Sequence, residues 1–413
     1  MSPEPGPEPE PEPGEAGPAA DAADAAGEES LVAGYGGRLL AVVSLGWLTV
    51  QGGRLVLSPL LPAIIADLDI SSFAAGVALS TLWACYALLQ YPSGRLSDRL
   101  SRKTLLSAGM GLAGAGFVLV AVAPTYPVFV AGTAVVGLGV GLYPTAARAL
   151  ISDHFVAKRG GAFGLHTASG DVGGGLAAGL AVVVLAVATW RAAFLPVVVV
   201  LAAAVLALSR LSREPYVLAA VDLDVRGAGG RLLADPDVRW LVAAYACFSF
   251  AWQATVGFLP TFLQAAKGLS PALASTGFAG LFLVGATVKP LAGRLGDRAG
   301  KGRIAAGVMV LGALALSGVL LAESRVLLIG ATLVYSAGLM SFPPVMQSHL
   351  MDVFPDESMG ADLGMARTTY IGAGSLGPAY VGFVADRAGY GAAFLGLVVA
   401  LAVTAAVVRW RTP

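Results

Sequence analysis

"KPLAGRLGDR", residues 289–298, carries a lysine into an otherwise apolar stretch, four residues before a glycine that opens a charged segment. The same phrase stands 199 residues earlier as "QYPSGRLSDR", residues 90–99, with a glutamine in place of the lysine. The match runs on at the same interval: Asp98 with Asp297, Pro144 with Pro343, Asp153 with Asp352, Phe155 with Phe354. After a one-residue shift, "RAAF" 191–194 meets "GAAF" 391–394. One such match is chance; the series makes the chain two copies of one half.

Each copy is apolar. Of 413 residues, 56% are hydrophobic and 13% charged, with a mean hydropathy of +0.76. Soluble domains are about a quarter charged, and apolar runs of about 20 residues, the length that crosses a bilayer as a helix, recur along the chain. The fold class is therefore an all-α membrane protein. Breaks at charges, Pro and Gly predict twelve helices, near 37–65, 72–92, 103–124, 126–151, 161–188, 191–211, 238–264, 271–292, 304–322, 325–350, 361–386 and 390–409. They form two six-helix halves, 35–211 and 238–410, joined by a polar linker at 212–237. Residues 1–34, rich in Pro, Glu and Ala, read as a disordered acidic tail and lack the basic start and apolar core of a signal peptide. The zero net charge gives no basic face for nucleic acid. Cys85 and Cys247 both fall in apolar segments, as small packing residues do.

Lys and Arg are uneven across the loops. The segment between helices 2 and 3 carries Arg95, Arg99, Arg102 and Lys103; that between 4 and 5 carries Lys158 and Arg159; that between 8 and 9 carries Arg294, Arg298, Lys301 and Arg303. Loops 1–2 and 3–4 have none. Positive residues stay inside, so both termini and the linker are expected in the cytoplasm, in a plasma-membrane protein. Six helices per copy is an even number, so both copies lie the same way up. That arrangement has its axis along the membrane normal and its site between the halves near the midplane.

With these features the chain resembles the major facilitator superfamily over roughly residues 37–410. The family's marker after helix 2, Gly-x-x-x-Asp-Arg-x-Gly-Arg-Arg, reads here as Gly94, Asp98, Arg99, then Ser101 where Gly is usual, then Arg102 and Lys103. Its echo is Gly293, Asp297, Arg298, Gly300 and Lys301. The resemblance implies a secondary transporter whose two bundles rock about a central site, with this cluster latching the side it stands on. The two glycines would let helices approach closely. Asp98 would sit at the positive N-terminus of helix 11, and Asp153 would pair with Arg99 or Arg102. Arg148, near the end of helix 4, joins that gate.

Charges inside spans are costly, roughly 2.5–3.5 kcal/mol at a helix centre on insertion scales, and mark function or a structural partner. Arg54 lies deep in helix 1, and its counterpart in the second half is Gln253. Lys289 in helix 8 has Gln90 as its counterpart. Each half thus contributes one cation facing a neutral amide, as an asymmetric ligand requires. The helix-8 position resembles the substrate cation of oxalate/formate-type, nitrate-type and monocarboxylate carriers, which more often use Arg, and the glycine-rich signature of the nitrate type is absent. Lys289 otherwise snorkels or pairs with an acid, and Arg54 otherwise forms a structural clamp. Arg367 in helix 11 is a third anion contact or an interface residue. Asp171 and His166 in helix 5 are candidates for proton coupling; the alternative is that Asp171 neutralises Arg54.

Trp252, Tyr143, Tyr335 and Phe342 are candidates for the cavity lining, although aromatics at helical spacing more often pack. Helix 5, "GDVGGGLAAG", has the glycines but not the proline of the drug/proton antiporter motif, and helix 1 has no mid-membrane acid. "GSLGP" 374–378 predicts a kink in helix 11. No phosphate loop, metal-spaced His/Cys cluster or catalytic triad is present, so neither an enzyme nor a cofactor is expected. The expectation is a monomeric transporter of a small anion, coupled to H+. A drug exporter and a non-transporting sensor are the rivals.

Overall fold

The computed structural model describes residues 30–221, 223–355 and 358–411, with Asp98 described by its backbone alone. The tail expected at 1–34 lies outside the described residues as far as residue 29. Among the described residues every regular element is helical, and eleven helical stretches are long and apolar enough to cross a membrane. The eleventh, Met359–Arg411, is two spans. Gly389 breaks it at φ 82°, a conformation that only glycine adopts at no steric cost. Asp386 lies against Ser72, while Trp410 returns to Trp240 at the start of the seventh span, with ring centroids 6.2 Å apart.

We number the spans α1 (Gly34–Leu55 and Leu57–Leu68), α2 (Ser72–Leu88 and Gln90–Arg99), α3 (Arg102–Val122), α4 (Tyr126–His154), α5 (Arg159–Val187) and α6 (Phe194–Leu211). The second half holds α7 (Pro236–Ala265), α8 (Pro271–Ala299), α9 (Lys301–Leu321), α10 (Arg325–Val353), α11 (Met359–Gly374, then 376–388) and α12 (390–411). Each of the three interrupted spans breaks four residues before a proline: at Leu55 before Pro59, Leu88 before Pro92 and Gly374 before Pro378. The pyrrolidine ring lacks an N–H and collides with the carbonyl four residues back. The kink expected in helix 11 is thus present. Pro144, Pro290 and the pair Pro343–Pro344 sit inside uninterrupted helices.

The structure refines the sequence reading at three places. First, α2 and α8 run on to Arg99 and Ala299, so Gly94 and Gly293 are helical rather than loop-opening. A Cβ built on either meets nothing within 4 Å, so neither carries a close helix approach. That role falls to α5, where a Cβ at Gly173 would strike the Leu48 carbonyl of α1 and one at Gly174 would lie 2.7 Å from the Phe282 ring of α8. Second, the linker is not plain coil. It holds a helix, Val225–Ala234, capped by the Asp224 side chain accepting from the Gly227 amide at 2.8 Å. This helix is tied to both halves, by the Tyr91 hydroxyl donating to the Asp224 carbonyl and by Arg231 donating to Asp362. Third, α7 begins at Pro236, inside the expected linker.

The side bearing Arg102, Lys301 and the linker is called the basic side below. There Arg102 Nε donates to Asp153 at 3.1 Å, and at the equivalent place in the second half Lys301 Nζ donates to Asp352 at 2.5 Å. On the opposite side the halves are pinned together. Ser58 Oγ donates to the Gly257 carbonyl at 3.0 Å, 199 residues away. Asp386 accepts from the Ser72 and Phe73 amides at 3.0 and 2.9 Å. A carboxylate on the first free N–H groups of α2 meets both their hydrogen-bonding need and the positive end of the helix.

Candidate functional site

Between the halves lies a cavity of about 240 Å³. Its walls come from α1, α2, α4 and α5 on one side and α7, α8, α10 and α11 on the other. All five ionisable groups with charged side chains that line it were singled out from the sequence: Arg54, Arg148, Asp171, Lys289 and Arg367.

Lys289 and Asp171 meet. Lys289 Nζ donates to both carboxylate oxygens at 2.7 Å, and both side chains are only partly covered. Among the described residues this is the one ion pair that bridges the two six-helix halves; Arg102–Asp153 and Arg191–Asp67 stay within the first, and Lys301–Asp352 within the second. The small residues of α5 bring it within reach, since Gly174 admits Phe282 two turns of α8 before Lys289. Asp171 therefore neutralises Lys289 rather than Arg54.

Arg54 has no acidic partner among the described residues. It is 9% exposed, and its Nε and Nη1 find no hydrogen-bond acceptor. Its Cζ sits 4.3 Å over the Trp83 ring and 5.2 Å from that of Tyr86. Cation–π contact returns about 0.5–2 kcal/mol, less than the several kcal/mol that removing an ion from water costs. Arg367 Nε donates to Gln90 Oε1 at 3.0 Å, and its Nη2 reaches the Tyr86 hydroxyl at 3.5 Å. Tyr86 thus stands between the two guanidiniums. Gln253, the counterpart of Arg54, is fully buried; its amide donates to Ser249 Oγ and the Ile371 carbonyl, and its Oε1 is unpaired. Gln90 stays out of the lining and acts on it by holding Arg367.

Arg148 is shared by two spaces. It lines the central cavity and also a vestibule of about 690 Å³ on the basic side, with Arg95, Arg102 and Ser152. It makes no ion pair among the described residues. With Asp171 ionised, the cavity lining sums to a net charge of +3, carried by Arg54, Arg148 and Arg367.

Other expected residues are not brought to the cavity. His166 is buried and stacks on Trp47 at 5.8 Å, with no contact to Asp171 among the described residues. A spacing of five places two side chains about 140° apart around a helix. Tyr143 spends its hydroxyl on the Val43 carbonyl and Tyr335 on Thr255, both in packed cores. Phe342 stacks behind Phe248 at 4.4 Å; Trp252 does line the cavity. Arg99, Asp297 and Arg298 are exposed and form no ion pair among the described residues. The expected placing of Asp98 at the start of α11 lies outside the described side chains, and the first turn of that helix holds an acid of its own. Asp362 is buried and bound by Arg231 and Ser358. Sequence reasoning missed Asp362 and Asp386; the signal for both was a carboxylate at the end of an apolar run.

A membrane-embedded, two-bundle fold around a charged midplane cavity is the architecture of a carrier. A family model described as Major Facilitator Superfamily matches residues 43–325 and 241–413, and the chain belongs to that superfamily. It is 29% identical over 252 residues to a gentisate transporter of Corynebacterium glutamicum, a stretch covering 57% of this chain and 56% of that protein. It is 27% identical over 160 residues to a probable hexose phosphate transport protein of Chlamydia muridarum, covering 38% and 35%. The matches thus span from about a third to just over half of these relatives. Among solved structures, a bacterial homolog of the human lysosomal transporter Spinster, in an inward-facing and occupied conformation, superposes with a TM-score of 0.77. Identity there is 17%, covering 91% of this chain and 97% of that one, a likeness of fold.

Proposed function

We propose that this protein is a secondary active transporter that carries a small organic anion by alternating access. The observation that supports this best is the cavity charge: three guanidiniums, one of them deeply buried with unpaired donors, and a single carboxylate already engaged by Lys289. An uncompensated positive cavity in low dielectric is stabilised by an anion. The named cargoes of both relatives, gentisate and hexose phosphate, share a negative charge and differ in body. The volume opposes drug export: about 240 Å³ is below the ~300–1,000 Å³ of drug-sized pockets.

Transport follows from the contacts. The halves are pinned on the side opposite the basic rim, at Ser58–Gly257 and Asp386–Ser72, and a vestibule opens on the basic side. By the positive-inside rule that side is cytoplasmic, and Arg148 lies on the path between vestibule and cavity. Lys289 stands where oxalate/formate-type carriers place a cation, but Asp171 holds it. A proton on Asp171 would release Lys289 to the substrate, so that one proton and one anion load together. Gln90 and Gln253 position Arg367 and the α7–α11 contact. His166 is left with packing against Trp47.

Melting temperature of the purified chain against a panel of carboxylates, sulfonates, phosphates, sugars and lipophilic cations tests this. A ligand at 100 times its Kd stabilises by about 2.7 kcal/mol. The expected result is a shift with an anion that disappears in Arg54→Gln. A shift with lipophilic cations that survives Arg54→Gln overturns the proposal.

A further inference from the structure

The cavity has two unlike walls, and their difference says more about the anion than its charge. The first-half wall supplies Arg54 over Trp83, with Tyr86 shared between Arg54 and Arg367. The facing wall is an aromatic stripe on α7. Tyr245, Phe248 and Trp252 recur at intervals of three and four residues, which places them on one face of a helix, and all three line the cavity. Phe248 and Trp252 lie nearly parallel, 15° between planes, and Tyr245 stacks on Tyr370 at 4.0 Å. Behind the stripe, Phe342 backs Phe248. A stripe so braced is a rigid π surface rather than loose apolar filling.

Resting on the anion reading above, we infer that the substrate is a single-ring aromatic carboxylate, its carboxylate held by Arg54 and its ring against Phe248 and Trp252. Three observations converge. Arg54 Nε and Nη1 are buried donors without an acceptor, and a guanidinium binds a carboxylate through charge-assisted hydrogen bonds. In an aromatic acid the ring is conjugated to that carboxylate and lies flat with it, so binding the group at Arg54 carries a planar body across the cavity. Offset stacking on fixed aromatic rings rewards that body beyond its buried area. The free volume, about 240 Å³, is ample for one ring and its carboxylate. A sugar phosphate fits the charge but not the wall: its hydroxyls would face Phe248, Trp252 and Phe282, which offer few acceptors. The polar groups within the cavity, Gln51 and Gln347 among them, suffice for one or two ring substituents.

The experiment compares benzoate, cyclohexanecarboxylate, acetate and glucose 6-phosphate by ligand-dependent melting of the full chain in detergent. Benzoate and cyclohexanecarboxylate match in charge and nearly in size and differ in the π system. The expected result is benzoate binding about tenfold more tightly than cyclohexanecarboxylate, with acetate and glucose 6-phosphate weaker than either. Phe248→Leu and Trp252→Leu should bring the two ring acids to within about twofold while keeping their dependence on Arg54. The comparison in the unmutated protein needs no variant, so a misfolded variant leaves the test intact. Equal binding of the two ring acids overturns the aromatic inference. Binding of glucose 6-phosphate in preference to benzoate also overturns it and leaves the anion reading standing. If no anion in the proposed-function panel shifts the melting temperature, the anion reading itself fails.

Discussion

At the rim, Arg102 holds Asp153 in the first half, and 199 residues on Lys301 holds Asp352 in the second. In the cavity the same repeat is broken: Arg54 has Gln253 as its counterpart, Lys289 has Gln90, and Asp171 has Ile371 after the one-residue shift. The rim pairs do one job twice, tying the third helix of each half to the fourth. Charge is what that job needs, and Arg or Lys supplies it equally. The cavity does one job once. A ligand without twofold symmetry gains nothing from a duplicated cation, and a second buried unpaired charge would cost several kcal/mol. On the function proposed above, the symmetric residues are machinery common to both halves, and the asymmetric ones are where a particular cargo would be read.

The strongest test of that contrast is Arg54→Gln, which makes the first half resemble the second. Uptake of an anion into proteoliposomes should fall by about 100-fold, roughly 2.7 kcal/mol. Stability without substrate should hold or rise, because an unpaired buried charge is removed. A loss of stability with uptake intact would make Arg54 a clamp and the cavity asymmetry incidental. Next in size is Asp171→Asn, which leaves Lys289 unpaired across the halves. We expect about 2 kcal/mol of destabilisation, less than for a fully buried pair because both side chains are partly exposed. Accumulation driven by a pH gradient should be lost while anion exchange persists. Lys289→Gln added to Asp171→Asn should recover most of the stability; additive losses would mean the two are not coupled.

How much of this was legible in the chain depends on what kind of signal each residue leaves. The twelve spans, the two halves and all five charged cavity residues were readable, because an ionisable group in an apolar run is costly and conspicuous. Partnering inside the cavity was not readable, although the Arg102–Asp153 pair at the rim was. Nothing local says that Asp171 meets Lys289, 118 residues away, since that depends on how closely α5 and α8 pack. The aromatic wall was legible only in part: Trp252 was a candidate for the lining, but Tyr245 and Phe248 at helical spacing look like any packed core. Helix ends were misjudged where glycine was taken as a stop. Gly94 and Gly293 continue their helices; α8 stops only at Gly300, and the breaks inside α1, α2 and α11 precede prolines by four residues.

A third test concerns a latch that has no counterpart at the rim. Asp386 caps the start of α2 from the other half, and Asp386→Ala removes two charge-assisted bonds. The expected loss is about 1 kcal/mol, which shifts the two-state balance about fivefold toward opening on that side. A cysteine at Leu61, buried about one turn beyond Ser58 on the same helix, should then react faster with an impermeant thiol reagent, measured in a background with Cys85 and Cys247 replaced by serine. Unchanged labelling would mean that Ser58–Gly257 alone holds the side shut.

The smallest effects belong to the rim, and there equality itself is the prediction. Arg102→Ala and Lys301→Ala each remove an ion pair whose carboxylate is about half exposed, 47% for Asp153 and 55% for Asp352. Exposed pairs contribute about 0.2–1 kcal/mol and are screened by salt. Each variant should therefore lower the melting temperature slightly and by a similar amount, and the difference from the parent should shrink at high salt. Arg102 has one further bond, to Ser97 Oγ at 3.0 Å, so any excess should appear on its side and persist in salt, since that bond is to a buried neutral hydroxyl. A much larger loss from one variant alone would show that the rim, like the cavity, has specialised one half, and the division between shared machinery and single-copy recognition would have to be drawn elsewhere.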